Sequence, residues 1–451
     1  MAEQSDRLFE MIREIRGFLE RAAVDELLEF LRGLHASDIA DILEGLEDDK
    51  ERLRLLEVLP APLASDALAE MEDEERPAEL LAQLDPRRIK ELVDELADDD
   101  AADLIGELEP DEQRRVLDSV SDAEGVRELL EYPEESAGGI MTRELLAVRS
   151  DATAGQAIEQ LRERARDRED FYTIFVVDPD QRLRGVVTLR NLVVHPPSAP
   201  IEELVEESVA VVPVDLDQEE VGRILSRYNL ASIGVVDGRG RLVGRITFDD
   251  VIDVVEAETT EDILRFASVS EEEQLRGTTV GAIRSRLPWL MINLLTLSAA
   301  AFVVWTFQDA IEQLAVLAAI MPVIAGLGGN AGTQALAVTI RRIAIADESL
   351  SERWTVVGKE LLVGLVNGLV IGVLVAVAAV LLPDAPAALG IVVMIAMWGN
   401  LVVASTLGAF FPILLESFGV DPAIASSIFV TTCTDLIGFL LLLGLASAFL
   451  L

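Results

Sequence analysis

The C-terminal third of the chain contains five apolar stretches, at about 287–308, 313–341, 361–382, 389–415 and 422–451. Each is long enough to cross a hydrocarbon core of roughly 30 Å. Lipid offers no partners to backbone N–H and C=O groups, so such stretches must be helices that satisfy themselves. They cannot share a core with the remainder, which is chemically opposite. Between Pro288 and Leu451 ten carboxylates face four basic groups, a net of −6, which leaves −37 of the chain's −43 on residues 1–287. The expected fold class is therefore a multidomain membrane protein with a strongly acidic soluble part.

That charge repels nucleic acid and attracts cations. The one cysteine, Cys433, excludes an intramolecular disulfide, and two isolated histidines, His35 and His195, form no zinc constellation. A bound metal must then use oxygen ligands, which favours Mg²⁺, Ca²⁺ or Mn²⁺. The N-terminal stretch MAEQSDRLFEMIREIRGFLE is charged and amphipathic, with no apolar run of signal-peptide type, and is expected in the cytoplasm.

Residues 1–136 show helical periodicity, as in IKELVDELADDDAADLIGEL, with breaks at Pro60, Pro86 and Pro110, a spacing of about 25 residues. One helical hairpin per interval cannot bury its own face, so stacked hairpins, an α-solenoid, are predicted. From about 137 the texture changes. FVVDPDQRLRGVVTLRNLV (175–193) and GVVDGRGRLVGRITFDDVI (234–252) align without a gap at an offset of 59, with seven identities in nineteen. Each copy reads as strand, Asp/Gly turn, strand, helix. This internal duplication resembles a tandem pair of cystathionine-β-synthase-type (CBS) modules over 137–256, an α/β unit that often binds adenine nucleotides. The resemblance implies ATP at a Thr-x-x-Asp motif, present as Thr247 to Asp250 in the second copy; the first copy has Asn191 in place of the aspartate. An acidic connector follows over 257–286 and leads into the membrane domain, 287–451.

In the third apolar stretch Gly364, Gly368 and Gly372 recur at four, a small-residue face for close helix packing. The second contains MPVIAGLGGNAGTQALAV, where Pro322 and clustered glycines predict a weakened or broken helix with freed carbonyls around Gly328, Gly329 and Asn330. In the fifth, Asp435 lies 13 residues beyond Pro422, roughly 20 Å along a helix. Ser427, Thr431, Thr434, Asp435 and Gly438 fall on one helical face, a polar stripe. A carboxylate at that depth costs at least about 2.5–3.5 kcal/mol and marks an ion pathway. Asp435 reads as the only carboxylate deep in a span, and it has no basic partner in any span. Basic residues before the first span and between the second and third predict the N-terminus inside and the C-terminus outside.

The order of parts, with GGNAGTQ in the second span and TTCTDLIGF in the fifth, resembles the MgtE family of magnesium channels over nearly the whole chain. The resemblance implies a homodimer in the cell membrane, surrounded by lipid, with Asp435, Ser427 and Thr431 facing a hydrated Mg²⁺ in the pore. It also implies regulatory Mg²⁺ at Asp66, Asp99, Asp103, Asp217, Glu219, Asp250, Glu258, Glu261 and Asp421, with Asn229 standing where a further acidic ligand is expected. The reading is a non-enzymatic Mg²⁺ channel serving magnesium homeostasis and closed by intracellular Mg²⁺. An ion-coupled divalent-cation carrier built on the same aspartate is the alternative.

Overall fold

The structure is a computed structural model that describes all residues except 1, 47, 73–74, 165–172, 207–210, 268, 270–278, 346–349, 383–385, 419 and 421–425. Contacts divide the chain into two compact units, Met1–Glu258 and Thr259–Leu451.

The first unit opens with ten helices: α1 Ala2–Glu20, α2 Val24–Leu31, α3 Ala36–Gly45, α4 Asp49–Val58, α5 Ala61–Ala69, α6 Pro77–Gln83, α7 Pro86–Val93, α8 Asp98–Gly106, α9 Pro110–Leu117 and α10 Ala123–Leu129. The prolines that broke the sequence pattern start helices rather than merely end them. Pro86 and Pro110 are first residues, where a missing N–H costs nothing, and Pro60 caps α5; Pro77, outside that pattern, starts α6 in the same way. Helices pack on the next but one: α3 on α5, α5 on α7 and α7 on α9 form one layer, while α4, α6, α8 and α10 form the other. This is the expected solenoid of hairpins, with Leu43, Leu55, Leu68, Leu81, Leu92 and Ile105 between the layers.

Arginines from later hairpins close the ends of earlier helices. Arg52 donates to the carbonyls of Glu44 and Leu46, where α3 ends, and also to Glu75 Oε2. Arg88 donates to the carbonyls of Leu56 and Leu59, where α4 ends. Each satisfies carbonyls left open at a helix C-terminus and places positive charge at its negative end. Arg143 then ties the solenoid to the next module, contacting Asp98 of α8 at 3.1 Å and Asp122 and Glu128 around α10 at 2.6 and 3.4 Å.

Two three-stranded sheets follow. The first comprises β1 Ala147–Arg149, α11 Ala154–Arg164, β2 Ile174–Val177, β3 Leu183–Val187 and α12 Leu189–Val194. The second comprises β4 Val211–Pro213, α13 Gln218–Tyr228, β5 Ser232–Val236, β6 Leu242–Thr247 and α14 Phe248–Phe266. In both, the first strand pairs parallel with the second and the second antiparallel with the third, and the register shifts at equivalent positions, after Val176 and after Val235. The duplication in sequence is thus a duplication in topology. Its identical aspartates make the turns: Asp178 accepts from the amides of Asp180 and Arg182, and Asp237 from those of Arg239 and Arg241. These bonds hold the Asp178 carboxyl below its ordinary value and that of Asp237 at about 2, so both are structural anions. The second module shares its core with the solenoid through Ala137 and Met141, whereas the first keeps a separate core around Val148, Val176 and Val187.

The second unit contains α15 Thr279–Thr306, α16 Gln308–Gln313, α17 Val316–Ile345, α18 Leu350–Val380, α19 Leu389–Ser417 and α20 Ser426–Phe449. Five of these, all but α16, are long and apolar enough to cross a membrane. The first and third begin earlier than their apolar stretches, because the helices continue into polar residues. The most buried helix, α19, packs against α17, α18 and α20. A Cβ on Gly364, Gly368 or Gly372 would sit 3.0 Å from the carbonyl of Leu401, Trp398 or Met394 respectively, so the predicted small-residue face is where α18 lies against α19.

The expected break in the second span is absent. α17 runs unbroken through Pro322 and the GGNAGTQ glycines. Their reason is close approach: a Cβ on Gly332 would collide with Val430, and one on Gly408 with the Gly332 carbonyl. Neighbouring helices fill the space that would otherwise let the helix unwind.

Arg88→Met removes four hydrogen bonds, three of them to the Leu56 and Leu59 carbonyls at the end of α4 and one to Glu91, and leaves those two carbonyls unpaired. It is expected to destabilise the first unit by about 2–3 kcal/mol, seen as a lower urea midpoint of the full-length protein in detergent, while Arg87→Met on the same turn leaves the midpoint unchanged.

Candidate functional site

Two polar sites stand out, a carboxylate cluster in the first unit and a row of two hydroxyls and one carboxylate in the second. In the second, Ser427, Thr431 and Asp435 step along α20 at intervals of four and are all half-buried. The Thr431 hydroxyl donates back to the carbonyls of Ser427 and Ile428 at 2.9 and 3.1 Å. Its oxygen therefore keeps lone pairs for an incoming donor, such as the water shell of a cation. No hydrogen bond or ion pair joins Asp435 to a described residue.

The predicted polar stripe divides into two rows. Thr434 is 0 % exposed and packs where Gly328 of α17 comes close, and Gly438 lies against Asn400 and Ile324. These belong to the interior of the bundle, while Ser427, Thr431 and Asp435 keep an open side. Gly328 is buried against Asn400, Gly329 lies 3.9 Å (from an added Cβ) from the Thr431 methyl, and Asn330 is exposed. Asp435 is also not the only carboxylate within a span. Glu360 is 7 % exposed and lies inside the candidate span Arg353–Val380. Its helix begins before the apolar stretch, which is why the sequence placed it outside.

In the first unit, Asp99 and Asp100 at the start of α8 meet Asp250 at the start of α14. Asp99 is 8 % exposed, and its Oδ1 is sealed from solvent with no hydrogen-bond partner. Burial pushes the Asp99 carboxyl well above its ordinary value, with Asp100, Asp250 and Asp103 adding to the shift. Asp100 is raised to about 6, by burial first and then by Asp250, Asp66, Glu70 and Asp249. Asp250 is raised by burial despite accepting from the Thr247 amide at 2.9 Å and hydroxyl at 2.6 Å, and Asp253 is raised by burial and then by Asp250 and Glu70. The sequence-predicted residues Asp66, Asp99, Asp103 and Asp250 are thus brought into one negative field. Asp100, Glu70, Asp249 and Asp253 join it and were missed, although the run DDD at 98–100 and the pair at 249–250 were visible.

Among the described residues no three such groups converge with the geometry to hold a metal ion directly. Mg²⁺ does not require that, since it keeps most of its waters and uses one or two carboxylates. Thr247 and Asp250, the nucleotide motif, are bonded to each other, and in the first copy Asn191 donates to Glu206 Oε1 at 2.8 Å.

The remaining predicted ligands lie apart from this cluster. Asp217 caps α13 by accepting from the Glu219 amide at 2.9 Å, and Glu258 accepts from Gln218 Nε2 at 2.7 Å, so the first turn of α13 and the middle of α14 form a second acidic corner. Glu261 pairs with Arg265. Asn229 ends α13 in the left-handed conformation, φ 50°. Asp421 lies outside the described residues.

A membrane bundle with an open row of two hydroxyls and one carboxylate, carried with an acidic solenoid and a duplicated α/β pair, fits the class of divalent-cation transporters with a soluble acidic portion. Residues 321–445 match the family model described as a divalent cation transporter, 34–135 that of the MgtE intracellular N domain, and 137–197 and 201–257 that of the CBS domain. The chain is 36 % identical to the magnesium transporter MgtE of Thermus thermophilus over 95 % of its length and 96 % of the relative's, and 32 % identical to that of Bacillus subtilis over 98 % and 97 %. It belongs to the MgtE family of magnesium transporters. Its fold is also similar to the crystal structure of the cytosolic domain of the Mg²⁺ channel MgtE in complex with ATP, with TM-score 0.51 and 35 % identity over 54 % of this chain and 99 % of that one. The crystal structure of the soluble part of a magnesium transporter gives TM-score 0.51 and 30 % identity over 56 % and 99 %.

The raised carboxylates fix the sign of a pH effect. Groups such as Asp100 titrate higher in the fold than the ordinary 3.8, so the folded state holds more protons between about pH 4 and 6 and loses stability as pH rises through that window. Without divalent cations, the urea midpoint of the first unit is expected to be higher at about pH 5.5 than at about 7.5. Mg²⁺ should raise it more at the higher pH, and Asp100→Asn should flatten both dependences.

Proposed function

We propose that this chain is a Mg²⁺ channel for magnesium uptake, closed when Mg²⁺ binds its acidic cytosolic portion. The observation that carries this reading is the row Ser427, Thr431 and Asp435, half-buried in one chain, with no basic side chain paired to its carboxylate among the described residues. A carboxylate turned to lipid is costly, so the open side is best occupied by a second copy of the chain. Two copies related by a two-fold axis would place two Asp435 carboxylates and their hydroxyl rows around a hydrated ion. Gly328, Gly329 and Asn330 of α17 would supply backbone beside that path.

In the regulatory portion, Asp66, Asp99, Asp103 and Asp250 would bridge the solenoid to the second CBS module through Mg²⁺. Asp217, Glu219, Glu258, Glu261 and Asp421 would act similarly toward the connector and the pore mouth. The sign follows from charge: without cations these carboxylates repel, and with them they bridge. ATP is a second proposed ligand, because a relative's cytosolic domain was crystallised with it; Thr247 would release Asp250 for the ribose. The distribution of basic residues supports an N-terminus inside the cell and a C-terminus outside.

The ion-coupled carrier remains a second reading because Glu360 is a buried carboxylate within a span. A carrier of that kind would move protons with each Mg²⁺, which a channel does not require.

Asp435→Asn keeps the size of the side chain and removes its charge. In proteoliposomes it is expected to lower Mg²⁺ uptake at least about a hundredfold, the effect of losing a charge–ion contact of about 3 kcal/mol, with normal insertion. Uptake at the rate of the unaltered protein would remove Asp435 from the pathway.

A further inference from the structure

We propose that Asn400 is a positioning residue for ion selection, its buried amide setting α17 and α20 in register one turn from Asp435. The proposal rests on the pore reading above. Asn400 lies in the middle of α19 and is 0 % exposed. Its Nδ2 donates to the carbonyl of Ile324 on α17 at 3.1 Å, while its Oδ1 is sealed from solvent and has no hydrogen-bond partner among the described residues. The orientation is set by the network, since exchanging the two atoms would press Oδ1 against the Ile324 carbonyl oxygen.

Both neighbouring helices are cut back where the amide enters. A Cβ on Gly328 of α17 would collide with Nδ2, and one on Gly438 of α20 would stand 2.8 Å from it. Gly438 is three residues beyond Asp435, and Thr434, adjacent to Asp435, packs against the same Gly328. The amide therefore occupies the junction of three helices directly behind the turn that carries the carboxylate.

Packing alone does not call for an amide. Leucine has the same branched outline of four side-chain heavy atoms and would leave no buried acceptor unpaired. What the amide adds is direction, because a hydrogen bond to one particular carbonyl fixes the axial position of α17 on α19, and the Gly438 contact carries that position to α20. An ion read through its water shell is gauged by the spacing of carboxylate and hydroxyl groups, and a site loosened by a fraction of an ångström loses discrimination. A slip at Asn400 would shift Thr431 and Asp435 against Gly329.

The test measures Mg²⁺ and Ca²⁺ uptake by full-length protein in proteoliposomes, with half-saturation and maximal rate separated. Asn400→Leu is expected to insert normally, raise half-saturating Mg²⁺ about fivefold, the equivalent of one net hydrogen bond, and lower the preference for Mg²⁺ over Ca²⁺ by a similar factor. The pair Gly438→Ala with Asn400→Ala refills the junction without an amide. It should recover thermal stability lost in Gly438→Ala alone, yet keep the relaxed preference. Unaltered half-saturation and preference in Asn400→Leu, or in the refilled pair where Asn400→Leu fails to insert, overturns the proposal. Asp435→Asn, measured alongside, separates the two readings. If it stops uptake while the Asn400 variants keep the original preference, only the positioning role falls; if it transports normally, the pore reading falls and this inference with it.

Discussion

Carboxylate charge without matching protein cations is the condition on which both units turn. In the first unit Asp99, Asp100, Asp250 and Asp253 are held together against burial and against one another, so each is pushed toward its protonated form. The fold tolerates this because the solenoid and the second CBS module share a hydrophobic core and because Arg143 clasps Asp98, Asp122 and Glu128 beside the cluster. Under the proposed reading, the Arg143 clasp is the contact that does not depend on a divalent ion, and the neighbouring carboxylate cluster is the one that does. In the second unit the same condition appears as Asp435, with no hydrogen-bond or ion-pair partner among the described residues, on an otherwise uncharged helix.

The membrane unit answers a different physical demand. Helices can approach closely in lipid only where side chains are absent, and here glycines recur wherever α19 meets its neighbours. Gly364, Gly368 and Gly372 admit α18, Gly408 faces Gly332 on α17, and Gly328 with Gly438 makes room for Asn400. The bundle is thus held by close backbone contact, with the Asn400 amide at the junction of three helices, and the open row on α20 is presented by that frame.

Much of this could be read from the residues. The periodicity and prolines of 1–136 foretold a solenoid, the seven identities foretold two copies of one topology, and uninterrupted apolar length foretold five membrane helices. Asp435 was legible because a charge in such a run is conspicuous. The errors share a cause, since sequence shows what a residue is but not what packs on it. Pro322 and the glycines of GGNAGTQ looked like a break because their neighbours, Asn400 and Val430, lie far away in the chain. Thr434 and Gly438 were placed on one polar stripe with Asp435 because one helical face was taken as one environment, although neighbouring helices divide it. Glu360 was missed because apolarity, rather than helix length, was used to mark where the third span starts, and Asp100 because a solvated run and a buried one read alike.

The central claim, that one ion both permeates and closes this protein, is tested most directly by single-channel recording of the purified protein in a planar bilayer while Mg²⁺ is titrated on the side of the acidic domains. The account predicts discrete, ohmic openings carried by Mg²⁺ whose open probability falls toward zero in the millimolar range. Uptake with no unitary current, or openings indifferent to Mg²⁺ on that side, would contradict it.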